Sequence, residues 1–295
     1  MIGQWLAEAL RARGDHVVIL TRRSPRSDEE LQWDPSRGIQ ELHRLEGLRG
    51  VFNLTGAHIA DRPWTRARRE LLIRSRVHAT EVLLDALSRL ETPPDVYVGV
   101  GHLGLFGDRG EAFIDDDDPP GSGFLSELAI AWEGAHLAAE DLGCRAAVLR
   151  MCIALSPTGG SFPLLVRPFQ YVGGWLGNGR QYMSWMSIRD CIGALLHLAD
   201  TPQCSGVFNG TVPEPVRNYE WCKALGDVMG VPVVTHAPKW ALRGALGELA
   251  DGLFLASVRA VPRKLLASGY TFQDPEAGPT FRWLLEEMER RQQTP

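Results

Sequence analysis

Two adjacent arginines, Arg22 and Arg23, carry the clearest chemical signal in this chain, because they follow an apolar β-branched run at residues 17–20. In a dinucleotide-binding βαβ unit, the residues after the second strand meet the adenosine ribose. An acidic side chain there binds a free 2′-hydroxyl, whereas arginine accommodates a 2′-phosphate. No acidic residue follows the run before Asp28. The pair therefore predicts NADP rather than NAD as the cofactor, and a solvated basic turn is the alternative that these residues leave open.

The elements around this pair form only part of such a unit. Residues 1–23 are typical of a helix, a glycine turn and a strand, and Gly3 stands where the last glycine of a G-x-x-G-x-x-G turn would be. The sequence does not contain that turn or the strand before it, although this strand normally lies inside the sheet, where unpaired neighbours are costly. We therefore expect Met1 to be an internal methionine and roughly ten upstream residues to supply both. A real truncation is the alternative.

Strand-like runs and helical patterns alternate through the first half of the chain. Apolar runs occupy residues 50–56, 96–101 and 145–150, and helical periodicity occupies residues 64–90 and 124–142. Continuous apolar strands that alternate with helices are typical of parallel sheets covered on both faces. The pattern predicts an α/β fold with a Rossmann-type doubly wound parallel sheet that lacks its first strand. Ligands bind such sheets beyond the carboxyl ends of the strands.

The pattern of apolar residues changes after residue 156, because glycine pairs interrupt the periodic runs there. We predict an NADP-binding Rossmann domain over residues 1–156 that also takes in residues 181–205. A smaller substrate-side α+β region is predicted over residues 157–180 and 206–295. Because elements of this region return to the sheet, we do not expect a clean boundary. Helical patterns in the second half cover residues 187–199, 219–229, 242–255 and 281–290.

Composition narrows the classes of partner. The 295 residues carry a net charge of −5 with no basic block, which argues against a nucleic-acid partner. No apolar run approaches the roughly 18 residues that span a bilayer, so no membrane partner is predicted. The 5 cysteines and 8 histidines show no metal-ligand spacing, so no metal is predicted, and dispersed cysteines are typical of a cytoplasmic protein. The acidic run at residues 115–118 is predicted to be a solvated loop.

Short motifs follow one another in a specific order between residues 33 and 270. They are Trp33-Asp34-Pro35, Val51-Phe52-Asn53-Leu54-Thr55-Gly56, Trp64, Ser75-Arg76 with Thr80, Gly107-Asp108-Arg109-Gly110, Trp132-Glu133, Leu149-Arg150, Gly173-Gly174 through Gly179, Ser184-Trp185, and Val261-Pro262-Arg263-Lys264-Leu265-Leu266 with Gly269-Tyr270. With these motifs the chain resembles an atypical, extended-type short-chain dehydrogenase/reductase. More narrowly, it resembles the sugar-nucleotide epimerase-like family of uncharacterised activity. That family has a small C-terminal domain, which the resemblance places at residues 238–286.

The resemblance implies NAD(P) binding on the Rossmann half and adds residues to the predicted site. The turn at residues 53–56 is expected to face the cofactor from the end of its strand. Arg76 falls where ordinary members of the superfamily use an active-site asparagine, and a helix-surface arginine near Thr80 is the alternative. The predicted cofactor-binding residues are Gly3, Thr21, Arg22, Arg23, Asn53, Leu54, Thr55, Gly56, Arg76 and Gly101.

The same resemblance defines what this chain lacks. Hydride-transferring members use a serine and a Tyr-x-x-x-Lys pattern, in which the lysine lowers the pKa of a tyrosine that exchanges a proton with the substrate. Gly101 takes the position of the serine, and Ala129 takes that of the lysine in a helix start without tyrosine. His102 and Cys152 lie nearby, where packing is the commoner role for both residue types. We therefore name no catalytic residue.

Two functional hypotheses follow. The first is an NADP(H)-binding, epimerase- or reductase-like protein with a noncanonical active site and a small-molecule substrate, either a sugar nucleotide or another carbonyl compound. The second is a non-catalytic NADP(H)-binding sensor or scaffold, which the absence of the serine, tyrosine and lysine favours. The arginine pair requires only binding and favours neither. The oligomeric state does not follow from the sequence.

Overall fold

The computed structural model describes residues 1–293, in which helices and strands alternate as predicted. The helices are α1 (Ile2–Ala12), α2 (Arg66–Ile73), α3 (Ala79–Leu87), α4 (Phe124–Leu137), α5 (Phe162–Val166), α6 (Ile188–Asp200), α7 (Asn218–Met229), α8 (Lys239–Leu246), α9 (Arg263–Ala267) and α10 (Ala277–Gln293). The strands are β1 (Ile19–Thr21), β2 (Glu30–Asp34), β3 (Gly38–Ile39), β4 (Gly50–Asn53), β5 (Val96–His102), β6 (Phe113–Ile114), β7 (Arg145–Met151), β8 (Ile153–Ser156), β9 (Gly159–Gly160), β10 (Gly173–Leu176), β11 (Tyr182–Met183), β12 (Trp185–Ser187), β13 (Gly206–Gly210), β14 (Val216–Arg217), β15 (Val233–Ala237) and β16 (Arg259–Ala260).

The main sheet is parallel, with the strand order β13-β7-β5-β4. Its register places Asn53 opposite Gly99 and Gly101 opposite Arg150, so β5 extends beyond the end of β4. A second sheet contains the parallel pair β1 and β2, with β3 antiparallel at its edge. This architecture confirms the predicted α/β fold of Rossmann type.

A groove of 380 Å³ separates β1 from β4 and so divides the two sheets. Its walls are mainly apolar, with Leu6 of α1, Leu20 of β1 and Leu83 of α3 among them. In the Rossmann strand order the first strand lies between these two neighbours. In the described residues β1 and β4 therefore lie on opposite sides of the groove and form no strand pair with each other.

Burial on both faces explains why β5 has no charged side chain before its last residue, His102. Val98 and Val100 pack in the core cluster that includes residues of α1 and α6. Gly99 and Gly101 point to the opposite face, where a Cβ atom would meet side chains of α4. Because successive strand residues alternate between faces, this arrangement needs apolar residues on one face and space on the other. The helices on the two faces make the sheet doubly wound, as predicted.

The predicted helix at residues 64–90 begins at Arg66 and contains a π-helical turn over Arg74–His78 before continuing as α3. Thr65 caps it, because the Thr65 hydroxyl accepts a hydrogen bond from the Arg68 N–H. Single π-helical turns inside α-helices occur frequently at functional sites. Here the turn contains Arg76, a predicted site residue.

The prediction of one continuous helix over residues 242–255 is wrong, because two separate segments cover this range. Helix α8 ends at Leu246, and Gly247 has a φ of 59°, a left-handed conformation that only glycine adopts readily. A separate π-helical turn then covers Ala250–Leu255. The apolar periodicity predicts both helical segments. It does not predict the break between them, because the break depends on the backbone conformation of Gly247 and not on apolar spacing.

The acidic run at residues 115–118 is not wholly the solvated loop that we predicted. Asp116 is buried, and its carboxylate accepts hydrogen bonds from the backbone N–H groups of Asn209 (2.5 Å) and Lys264 (3.0 Å). Burial raises the pKa of Asp116. This residue therefore ties the loop to β13 and α9, which lie far away in sequence. Within residues 1–293, no helix is both long and apolar enough to cross a membrane.

Candidate functional site

The buried side chain of Asn53 holds the predicted turn at residues 53–56 in place through hydrogen bonds. Its amide Nδ2 donates to the Tyr97 hydroxyl (2.7 Å) and to Thr80 Oγ1 (3.0 Å). Its Oδ1 accepts from the N–H (3.1 Å) and the hydroxyl (2.6 Å) of Thr55. Both the amide nitrogen and the amide oxygen of the Asn53 side chain therefore have partners inside the protein. Asn53 positions the turn, while the backbone of Leu54, Thr55 and Gly56 lies beyond the strand end.

A buried histidine continues this network beneath the sheet. His136 Nδ1 lies 3.0 Å from the Tyr97 hydroxyl, and His136 Nε2 lies 3.2 Å from the carbonyl oxygen of Val100. Since a carbonyl only accepts, Nε2 carries the proton and Nδ1 accepts from Tyr97. Gly99 leaves room for the ring, because a Cβ atom there would lie 2.5 Å from His136 Cγ. Sequence reasoning missed both Tyr97 and His136, since they become neighbours only on folding.

Acid is expected to destabilise the protein through two histidines, the buried His136 and the half-buried His102. Burial lowers the pKa of His136 to about 3 and that of His102 to about 4, below the ordinary value of 6.5. The unfolded chain therefore takes up protons that the folded chain excludes, so stability is full above pH 6.5 and is lost as the pH falls toward 4. Each histidine contributes a slope of about 1.4 kcal/mol per pH unit. Urea unfolding between pH 7 and pH 4.5 measures this slope.

His136→Gln is expected to remove about half of this slope while lowering stability at pH 7, because the glutamine does not titrate. The exposed His43→Gln serves as the control and should leave the slope unchanged. A slope that is equal in wild type and in His136→Gln would refute the assignment of acid sensitivity to this residue.

Arg76 is buried rather than on the helix surface, so the surface alternative is wrong. Its Nη2 donates to the carbonyl oxygen of Ala57 (3.0 Å), and its Cζ lies 5.0 Å from the Trp132 ring centroid. No carboxylate of residues 1–293 lies within ion-pair distance of its guanidinium. Burial, followed by the nearby charge of Arg68, lowers the pKa of Arg76 to about 10. Arg76 therefore provides an uncompensated positive charge directly behind the turn at Gly56.

The three residues that the family resemblance aligns with the usual proton relay, Gly101, Leu125 and Ala129, carry no hydroxyl or amine. A Cβ atom on Gly101 would lie 3.0 Å from Glu133 Oε1, and Ala129 is buried. Leu125, four residues before Ala129, is a buried apolar residue at the position that a tyrosine would occupy. These side chains can pack, but they cannot exchange a proton with a substrate.

His102 and Cys152 lie near this region in different chemical states. His102 Nδ1 accepts the N–H of Gly104 at 2.8 Å, so its proton is on Nε2. Its lowered pKa makes the ring a neutral hydrogen-bond donor at pH 7. Burial raises the pKa of the Cys152 thiol, so this cysteine stays protonated and is a poor nucleophile.

The arginine pair lies at the exposed end of β1, as the sequence predicts. Arg23 pairs with Glu30 at 2.5 Å and also donates to the carbonyl oxygen of Ser24. The pKa of Glu30 is lowered, first by the Arg26 backbone N–H and then by Arg23. Arg22 makes no hydrogen bond or ion pair with the described residues and is available to an anion. Both exposure and charge at this strand end fit a phosphate group.

The predicted residues fall into separate groups. Gly3, Asn53, Leu54 and Thr55 line the groove between the sheets, where a Cβ atom on Gly3 would lie 3.8 Å from Leu54 Cδ1. The others follow the ends of β1, β4 and β5 or lie on the π-helical turn, and they are Thr21, Arg22, Arg23, Gly56, Gly101 and Arg76. The predicted residues thus come from three strand ends and two helices, and that they bind one dinucleotide stays a prediction.

A cleft of 210 Å³ opens beside Leu125, between the Rossmann half and the C-terminal half of the chain. Trp64, Gly104 and Leu125 line it from one side, and Asp251 and Gly252 line it from the other. Sequence reasoning did not predict this cleft, because its walls come from segments more than 100 residues apart. Among residues 1–293, no group of three or more His, Cys, Asp or Glu side chains is placed to hold a metal ion.

Comparison with known proteins identified similar sequences and structures. The NAD dependent epimerase/dehydratase family matches residues 1–209, and a domain of unknown function, DUF1731, matches residues 237–284. Epimerase family protein Mb2239 of Mycobacterium bovis is 37% identical over 280 residues, which cover 94% of this chain and 92% of the relative.

Solved structures with a similar fold include the following two. The human epimerase family protein SDR39U1 (isoform 2) with NADPH has a TM-score of 0.88 and 27% identity, covering 97% of this chain and 96% of its own. UDP-glucuronic acid 4-epimerase from Bacillus cereus, in complex with UDP-glucuronic acid and NAD, has a TM-score of 0.75 and 14% identity, covering 98% and 96%. At that identity the second likeness concerns the fold alone.

Proposed function

The chain belongs to the NAD dependent epimerase/dehydratase family, as its motifs indicated, and from this premise we propose that it binds NADP(H) in preference to NAD(H). The observation that carries this preference is the exposed, unengaged Arg22 beside Arg23 at the end of β1. Arginine at this strand end accommodates a 2′-phosphate. The human relative that was solved with NADPH supports the same choice.

The residues present fit a dinucleotide. Arg22 and Arg23 would hold the 2′-phosphate, and the backbone of residues 54–56 would approach the dinucleotide closely at the end of β4. Arg76 is a buried cation without a carboxylate partner among the described residues, and an anionic cofactor next to it would supply the missing charge. We therefore propose as cofactor site the ten residues that the sequence predicted. When bound, NADPH supplies a hydride.

We propose that this chain also catalyses an epimerase- or reductase-like step. Its substrate would be a small molecule, either a sugar nucleotide or another carbonyl compound. Residues 1–156 with 181–205 would bind the dinucleotide, and residues 157–180 with 206–295 would form the substrate side. His102 offers a neutral N–H donor at the end of β5, one residue after the glycine that replaces the usual serine. The proposed location is the cytoplasm.

Titration calorimetry of the full chain with NADPH and with NADH tests the cofactor proposal. We expect NADPH to bind about 10- to 100-fold more tightly, because charge-assisted hydrogen bonds to a phosphate contribute about 1.5–3 kcal/mol. Adenosine 2′,5′-bisphosphate should compete with NADPH, and adenosine 5′-monophosphate should compete poorly. Equal affinity for NADPH and NADH would refute the assignment of the arginine pair.

A non-catalytic NADP(H) sensor or scaffold is the second candidate, and the apolar relay positions favour it. Gly101, Leu125 and Ala129 together remove every group that usually transfers the proton. If the protein is a sensor, NADPH raises its melting temperature, yet no carbonyl compound in a broad panel causes NADPH oxidation. NADPH oxidation that is lost in His102→Ala would instead support an enzyme.

A further inference from the structure

We propose that Arg76 makes the cofactor site select the redox state of its ligand, so that the reduced form NADPH binds about tenfold more tightly than the oxidised form NADP⁺. This inference rests on the proposed function, because it concerns the same dinucleotide site. It adds a second preference to the one for the 2′-phosphate, and a different residue carries it. Three observations support it: the position of Arg76, its missing counter-charge and the extent of its electric field along the sheet edge.

Arg76 lies at the end of β4, in the half of the sheet that is expected to bind nicotinamide. In a Rossmann fold each half of the sheet binds one mononucleotide, outside the carboxyl ends of the strands. With the adenosine ribose at Arg22, after β1, the nicotinamide half of the cofactor falls on the side of β4, β5 and β7. A Cβ atom on Gly56, just beyond β4, would lie 3.2 Å from Arg76 Cζ. The guanidinium therefore lies directly behind the turn that follows β4.

The surroundings of Arg76 preserve its charge and shield it from water. Its pKa of about 10 keeps it protonated at pH 7, although it is only 8% exposed. Its Nη2 donates to the uncharged carbonyl oxygen of Ala57 at 3.0 Å, and the ring centroid of Trp132 lies 5.0 Å from its Cζ. A charge with so little water around it acts more strongly and over a longer distance than a charge at the surface.

The carboxylates of the neighbouring segments do not compensate this charge. Glu133 of α4 forms an ion pair with Arg150 at 2.9 Å. Asp61, in the loop after β4, forms an ion pair with Arg68. After burial, the charge of Arg68 is the second cause that lowers the pKa of Arg76, so the charge that acts on Arg76 is positive. The end of β4 therefore keeps one positive charge in excess among the described residues.

The effect of this charge extends to the end of β5. The register places Asn53 of β4 opposite Gly99, and β5 continues for three more residues, to His102, beside the turn after β4. Neighbouring strands lie about 5 Å apart. After burial, the charge of Arg76 is the second cause that lowers the pKa of His102. A positively charged group that is bound at this end of β5 would experience the same repulsion.

The two redox forms of the cofactor differ in charge only at the nicotinamide ring. This ring is positive in NADP⁺ and neutral in NADPH, whereas both forms have the same pyrophosphate and 2′-phosphate. A contact between Arg76 and a phosphate would therefore strengthen the binding of both forms alike, and only repulsion of the ring separates them. At an effective dielectric constant of about 20, two like charges about 10 Å apart change an affinity by roughly tenfold. That ratio would raise the reduction potential of the bound couple by about 30 mV.

Titration calorimetry of the full chain with NADPH, NADP⁺, NADH and NAD⁺ at one ionic strength tests this proposal. We expect each reduced form to bind about tenfold more tightly than its oxidised partner, with and without the 2′-phosphate. Arg76→Gln keeps a donor for the Ala57 carbonyl but carries no charge, so it should lower both ratios to about twofold or less. Arg76→Lys keeps the charge and should keep both ratios. The exposed Arg282→Ala is the control and should leave them unchanged.

Two results would overturn the proposal. The first is equal affinity of the wild type for NADPH and NADP⁺, and this result does not depend on the folding of any variant. The second is an unchanged ratio in Arg76→Gln, and an equal loss of affinity for all four nucleotides would mean that Arg76 acts on their shared phosphates.

The same titrations separate this inference from the proposed function. Equal affinity for NADPH and NADH, with the reduced-to-oxidised ratios preserved, would refute the proposed cofactor preference and keep the role of Arg76. Tighter binding of NADPH than of NADH, without a difference between NADPH and NADP⁺, would do the reverse. No binding of any of the four nucleotides would refute both.

Discussion

Replacement of Glu133 by alanine is expected to lower the free energy of unfolding by about 3–5 kcal/mol, because it leaves the guanidinium of Arg150 buried without its partner. The two side chains form a bidentate pair, with Nε to Oε1 at 2.9 Å and Nη2 to Oε2 at 3.0 Å. Both residues are buried in the sheet–helix interface. Arg150 also donates to the carbonyl oxygen of Asp116, so loss of the pair weakens a loop anchor as well.

Urea unfolding at pH 7 measures this effect. The matched control is Lys223→Ala, which breaks an exposed pair with Asp227 and should change the free energy by about 0.5 kcal/mol or less. The double variant Glu133→Leu with Arg150→Met replaces both charges by apolar groups and should recover most of the loss. A cost below about 1 kcal/mol for Glu133→Ala would contradict a buried, essential pair.

The double variant Arg22→Ala with Arg23→Ala is expected to raise the Kd for NADPH about 100-fold and to leave the Kd for NADH almost unchanged. Two charge-assisted contacts to the 2′-phosphate are lost, while NADH never makes them. Arg22 should account for more of the loss than Arg23, because Glu30 already pairs with Arg23. Calorimetry with both cofactors, at one fixed ionic strength, measures the ratio.

Arg282→Ala, an exposed arginine on α10, is the control for the loss of a single positive charge. It should change neither Kd by more than about twofold. An equal loss of NADPH and NADH affinity in the double variant would mean that the two arginines support the fold of the strand end. The preference for NADPH would then have to arise elsewhere.

The glycine at position 101 has a physical consequence beyond the missing hydroxyl. Without a Cβ atom, Gly101 leaves space for the Glu133 carboxylate, whose Oε1 would be only 3.0 Å from that atom. A serine there would press on the buried pair of Glu133 and Arg150. A serine at position 101 would therefore require the Glu133 carboxylate to shift by a few tenths of an ångström.

The features that depend on neighbours in the sequence were predictable. The β-branched run before Arg22, the apolar stretch of β5 and the helical periodicity of residues 124–142 each reflect the local geometry of a strand or helix. The alternation of these elements leaves few topologies, so the Rossmann-type sheet followed from pattern alone. The resemblance also predicts that the usual proton relay is missing, because it specifies which residue types belong at those positions, and this stays a prediction.

Burial, by contrast, was decided by contacts between distant segments. Asp116 lies in a run of four acids that any local criterion assigns to solvent, yet N–H groups from β13 and α9 enclose its carboxylate. Arg76 is an arginine on a helix, and only the approach of Ala57 and Trp132 turns it into a buried cation. The cleft beside Leu125 likewise exists only where Gly252 meets Trp64. Periodicity reports which face of an element is apolar, but the partner of each polar group depends on which elements the fold brings together.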